Sequence, residues 1–144
     1  MPLDVLLVED NPADVRLMLE TLRDANKAVR LHLAADGVEA MAFLRRQGAS
    51  ARAPRPVLIL LDLNLPKMDG REVLAEVKGD IDLKTIPIVI LTTSDAESDI
   101  TRSYQLQANC YLTKPVRLEE YENLVRSVND FWLTKAKLMN SAIS

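Results

Sequence analysis

Apolar residues fall along this chain in short runs closed by acidic, hydroxyl or turn residues, and the stretches between the runs carry apolar residues at helical spacing. The first run, Leu3 to Val8, predicts a strand closed by Glu9 and Asp10. Asn11 then serves as an N-cap, with Pro12 at the first helical position and Asp14 in the first turn. Val15, Met18, Leu19 and Leu22 follow on one helical face. A second strand runs from about Val29 to Ala35. There Val29, Leu31 and Leu33 alternate with Arg30 and His32, which predicts an edge strand with His32 facing outward. Asp36 and Gly37 open a short helix with Val38, Met41 and Leu44 inward, stopped by Gly48. The stretch from about Arg45 to Pro56, rich in Ala, Arg and Pro, has no periodicity and reads as a loop.

Val57 to Asp62 is apolar until its last residue, which predicts a strand buried on both faces. Pro66, Asp69 and Gly70 turn the chain into a helix with Val73, Leu74 and Val77 on one face, ending near Gly79. Pro87 to Thr93 is a fourth strand. Ser94 and Asp95 are expected to cap a helix through about Gln107, with Asn109 as its left-handed stop. Cys110 to Thr113 is a fifth strand, ended by Lys114 and Pro115. A last helix is expected from about Leu118 to Met139, with Leu118, Tyr121, Leu124, Val125, Val128 and Trp132 on its apolar side.

Strands alternating with helices imply an α/β domain, here one unit over 1–144 with no output domain, built on a parallel sheet covered on both faces. Right-handed crossovers favour the doubly wound order 2-1-3-4-5. That order gathers Glu9 and Asp10, Asp62, Thr92 and Thr93, and Lys114 in one crevice at the carboxyl ends of the strands.

Composition narrows the chemistry. The chain has 144 residues, 48% hydrophobic, with a formal net charge of −3, so no basic field argues for DNA or RNA. The opening MPLDVLLVED is a short apolar run broken by Asp4, neither signal peptide nor membrane span, and the expectation is a cytoplasmic protein. A lone Cys110 excludes a disulfide framework and reads as a buried, inert thiol; a lone His32 offers no metal site. In the crevice, three carboxylates outnumber one lysine, so the site would raise their pKa values or recruit a cation. Oxygen ligands without His or Cys point to Mg²⁺. A carboxylate can itself attack phosphorus, and a lysine and a hydroxyl can hold the resulting oxygens, roles that fit Asp62, Lys114 and Thr92.

The ordered set VLLVEDN, LLDLNLPKMDG, VILTTS and CYLTKP resembles the receiver domains of two-component response regulators over nearly the whole chain. The resemblance implies a flavodoxin-like receiver fold in which Asp62 takes a phosphoryl group from a histidine of a sensor kinase. It assigns Glu9, Asp10, Asp62 and the backbone carbonyl of Asn64 to Mg²⁺, and Lys114 to the phosphoryl oxygen. Thr92 and Tyr111 become a switch pair that remodels the face formed by helix 4, strand 5 and helix 5. The long Arg45 to Pro56 loop, the LLDLNLPKMDG segment and the FWL near the end together resemble stand-alone regulators paired with phytochrome-type sensor histidine kinases. That narrower likeness implies input from such a kinase and homodimerisation through strand 5 and helix 5.

Two other classes compete. Phosphatases of the haloacid dehalogenase type also use a strand-end aspartate nucleophile with a threonine or serine, a lysine and Mg²⁺. They place a general acid two residues further on, where this chain has Asn64, which cannot shuttle a proton. A nucleotide-binding module lacks its glycine-rich phosphate cradle here. The last helix also carries Phe131, Trp132, Leu133, Leu138 and Met139, which either fold back on the core or form a partner surface.

Overall fold

Each apolar run becomes a strand because helices cover both of its faces. The computed structural model describes residues 2–139; Met1 and 140–144 of the expected 1–144 unit lie outside them. The elements are β1 (Leu3–Val8), α1 (Pro12–Ala25), β2 (Val29–Ala34), α2 (Gly37–Leu44), β3 (Leu58–Leu61), α3 (Gly70–Gly79), β4 (Ile88–Thr92), α4 (Glu97–Gln105), β5 (Cys110–Thr113) and α5 (Leu118–Val128). The sheet is parallel in the order β2-β1-β3-β4-β5. Among the described residues no helix is long and apolar enough to cross a membrane.

Side-chain alternation sorts the strand residues into two cores. Leu6, Val8, Ile59, Leu61, Ile88 and Ile90 pack with Met41, Leu44, Val73, Leu74 and Val77, beneath α2 and α3. Val5, Leu7, Leu58, Leu60, Val89 and Leu91 pack with Met18, Leu22, Tyr121, Val125 and Val128, beneath α1 and α5. Register then fixes the crevice. Val8 lies beside Leu61, so Glu9 and Asp62 leave adjacent strands at the same level, and the Lys114 N–H bonds the Thr92 carbonyl at 2.7 Å.

Helix ends depart from expectation. The left-handed residues that stop α2 and α4 are Arg46 (φ 55°) and Gln107 (φ 74°), rather than Gly48 and Asn109. Gly48 is also left-handed, but lies in a short 3₁₀ turn inside the Arg45 to Pro56 loop. Asn109 instead uses its side-chain oxygen to accept from the Ile88 N–H and from Lys78. α4 is capped by Ala96 without a side-chain bond, because Ser94 and Asp95 lie in the preceding loop. The last helix stops well short of Met139. After Val128 it widens into a π-helical turn over Asn129–Lys135, where buried Asn129 accepts from Asn26 at the end of α1. That turn brings Trp132 and Leu133, and beyond it Leu138, onto the α1/α5 core and leaves Phe131 and Met139 exposed.

Some side chains also differ from the pattern. Val38 and Leu118 are exposed although helical spacing placed them inward. His32 is half-buried against Phe43 and bonded to Asp4 at 2.9 Å, so it does not face free solvent. Cys110 is half-buried, and burial pushes its thiol pKa up, which keeps the thiolate scarce.

Candidate functional site

The crevice is built from strand ends inward. Glu9, one residue past β1, is 3% exposed, and its Oε2 accepts the Asn11 N–H at 3.1 Å. Asn11 caps α1 by accepting from Ala13 and Asp14, as its position predicted. Asp62, one residue past β3, is buried and accepts the Asn64 N–H on Oδ1 at 3.3 Å. Gly70 is required here for its size. A Cβ at that position would sit 2.2 Å from the Asp62 carbonyl oxygen, so glycine alone lets α3 begin this close to the acidic loop.

Carboxylate oxygens of Glu9, Asp10 and Asp62 lie within 4.8 Å of one another. Glu9 and Asp62 are buried and Asp10 is exposed, so the cluster opens to solvent on the Asp10 side. Lys114, itself buried, donates to Glu9 Oε1 at 2.5 Å, to Asp14 Oδ2 at 2.8 Å and to Asp62 Oδ2 at 3.0 Å. Burial opposes the Lys114 charge, but the bonds from Asp14 and Glu9 and the charge of Asp62 outweigh it and raise its pKa above the usual lysine value. Glu9 moves upward as well. Burial pushes it to about 7, with the Asp62 charge adding to the effect and the Lys114 bond opposing it. The surplus of negative charge, carried wholly on oxygen, fits a hard divalent cation.

Across the crevice, Thr92 ends β4 fully buried, and its Oγ1 has no hydrogen-bond partner among the described residues. Tyr111 on β5 packs its ring against the α2/α3 core, while its hydroxyl donates to the Ser94 carbonyl at 2.8 Å. Ser94 is held in turn: its hydroxyl donates to Asp99 Oδ2 at 2.6 Å, and Arg71 donates to Asp99 Oδ1 at 2.7 Å. The Ser94 hydroxyl and then the Arg71 guanidinium hold Asp99 below the usual carboxylate range.

The fold therefore gathers Glu9, Asp10, Asp62 and Lys114 into one cluster. It seats Asn64 beside Asp62, exposed, and sets Thr92 and Tyr111 on the neighbouring β4 and β5. Sequence reasoning missed three participants. Asp14 looked like an ordinary first-turn acid and Ser94 like a helix cap, and Arg71 carried no signal that singled it out. No local pattern distinguishes them, because each gains its partner from a distant element.

The protein-family model for the response regulator receiver domain matches residues 5–126. The chain is 52% identical over 137 residues to response regulator Rcp1 of Synechocystis sp., covering 95% of this chain and 93% of that protein. Its fold matches the crystal structure of the phosphorylated cyanobacterial phytochrome response regulator RcpA with a TM-score of 0.94 at 50% identity, over 97% of this chain and 100% of that one. It matches the Mn²⁺-bound form of Rcp1 with a TM-score of 0.93 at 51% identity, over 96% and 100% of the two chains. The phosphatase alternative finds no support in these likenesses. The crevice thus belongs to a phosphorelay signalling switch, and the chain is a member of the response regulator receiver domain family.

Proposed function

We propose that Asp62 accepts a phosphoryl group from a phosphohistidine on a sensor kinase. An Asp62 carboxylate oxygen bonds to phosphorus as the phosphorus–nitrogen bond of the donor breaks, and the freed imidazole takes up a proton. Lys114 pairs with one phosphoryl oxygen, and the Thr92 hydroxyl donates to another. The observation that carries this reading is the pairing of a buried Asp62, 3.0 Å from Lys114, with a buried Thr92 hydroxyl that has no partner.

Glu9, Asp10, Asp62 and the Asn64 carbonyl would hold Mg²⁺, which neutralises charge building on the phosphoryl oxygens. The all-oxygen donor set supports that choice, as does the Mn²⁺-bound form of the similar Rcp1. As Thr92 engages the phosphoryl group, the β4–α4 loop shifts and carries the Ser94 acceptor of Tyr111 with it, remodelling the α4/β5/α5 face. The chain then acts in the cytoplasm by binding other proteins, with no chemistry beyond its own phosphorylation and dephosphorylation. Likeness to RcpA supports a phytochrome-type kinase as donor. Exposed Val116 and Leu118 support homodimerisation through β5 and α5.

Intact mass after incubation with a small phosphodonor and Mg²⁺ tests the acceptor. A metal-dependent adduct is expected in the wild type and absent in Asp62→Asn. An adduct that persists in the variant, or none in the wild type, overturns the assignment.

A further inference from the structure

Lys114 has three N–H bonds, and each goes to a carboxylate from a different element: Glu9 after β1, Asp62 after β3 and Asp14 in the first turn of α1. Two of these carboxylates have another duty. Oxygens of Glu9 and Asp62 belong, with Asp10, to the cluster that suits a divalent cation, and positive charge there competes with the ammonium for the same oxygens. Phosphorylation would further turn one Asp62 oxygen into the bridge to phosphorus. Asp14 stands outside that cluster.

Its geometry goes beyond that of a helix-start acid. An acid in the first turn favours the helix dipole wherever its side chain points. Here the side chain is 20% exposed and its Oδ2 lies 2.8 Å from Nζ, across a separation of 100 residues. Its backbone N–H is pinned by the Asn11 cap at 3.3 Å, so the cap that starts α1 also aims Asp14 at the crevice.

We propose that Asp14 is a positioning residue, which keeps the Lys114 ammonium beside Asp62 when Glu9 and Asp62 are engaged elsewhere. The inference rests on Asp62 being the phosphoryl acceptor. Without Asp14 the lysine has no fixed acceptor outside the cation cluster, and phosphoryl transfer loses a preorganised charge.

The test measures adduct formation at saturating Mg²⁺ and small phosphodonor, together with Mg²⁺ affinity by calorimetry, for wild type, Asp14→Asn and Asp14→Ser. Serine is at home in a first turn and guards against a folding defect. The expected result is a fall of about tenfold in rate for both variants, the size of one weakened charge-assisted contact, at unchanged Mg²⁺ affinity. An unchanged or faster rate overturns the proposal. So does a parallel loss of Mg²⁺ affinity, which would place Asp14 with the cation rather than with the lysine. If the wild type forms no adduct, the acceptor reading fails, and this inference fails with it.

Discussion

The two sides of the crevice are finished to different degrees. On the β1/β3 side, Lys114 satisfies all three of its donors on carboxylates, buried Glu9 and Asp62 and partly exposed Asp14. On the β4/β5 side, the Thr92 hydroxyl is just as buried and bonds nothing, and Tyr111 is tethered through a partly exposed chain of Ser94, Asp99 and Arg71. The difference follows from the cost of burial. An unpaired buried charge is several kcal/mol uphill, so the charged side must be assembled before any ligand arrives. An unpartnered hydroxyl costs only about 1–3 kcal/mol, which a domain of this size tolerates. If the chain switches as proposed, its charges stay fixed and the responsive part is left to a hydroxyl.

The largest effect should come from breaking the charged side. Lys114→Ala leaves Glu9 and Asp62 buried without their cation, at about 3–5 kcal/mol, or roughly 10 °C in melting temperature. Mg²⁺ should still bind and should restore more stability than it adds to the wild type, because the metal replaces the lost positive charge. Equal Mg²⁺-induced shifts in the two proteins would argue against a shared cluster.

The same side should respond to pH without any mutation. Glu9 has a folded pKa raised by burial to about 7, above its unfolded value near 4.5. A raised carboxyl contributes stability that is full below the unfolded pKa and is lost as pH rises through the folded one. Thermal melts of the metal-free protein should therefore fall by several degrees between about pH 4.5 and 7, and saturating Mg²⁺ should flatten the profile. A flat profile without metal would mean that Lys114 fully offsets the burial of Glu9.

On the hydroxyl side, Thr92→Val replaces the unpartnered oxygen with a methyl of the same shape. Stability should be unchanged or raised by up to about 1 kcal/mol, since no bond is lost. The phosphorylation-dependent change at Tyr111, followed by its ring resonances, should disappear. A clear loss of stability would reveal a partner for Oγ1 in solution.

The smallest effect should come from Arg71→Ala. A partly exposed ion pair is worth only about 0.2–1 kcal/mol. The variant should nevertheless let Ser94 move, and the Tyr111 ring signals of the unphosphorylated protein should shift or broaden. Unperturbed signals would show that the Ser94 carbonyl holds Tyr111 without help from α3.

The strands and their order were legible in the residues themselves, because each strand is an apolar run whose burial is a local property of composition. Val57 to Asp62 read as a buried strand, found as Leu58–Leu61, which left Asp62 at its carboxyl end facing the crevice. The core faces of α1 and α3 followed from spacing in the same way, as did the Asn11 cap. Glu9, Asp10 and Lys114 were legible as strand-end residues once the order 2-1-3-4-5 was inferred.

Tertiary structure alone decided who partners whom. Lys114 meets Asp14 across 100 residues, and Tyr111 finds the carbonyl rather than the side chain of Ser94. No residue type signals either contact. The helix stops at Arg46 and Gln107 and the π turn after Val128 were equally hidden, since a left-handed stop at Arg or Gln carries none of the residue signal that Gly or Asn would give. Burial energy is summed residue by residue and so can be read along a chain. Hydrogen bonds and ion pairs depend on angles and distances that exist only after the elements have docked.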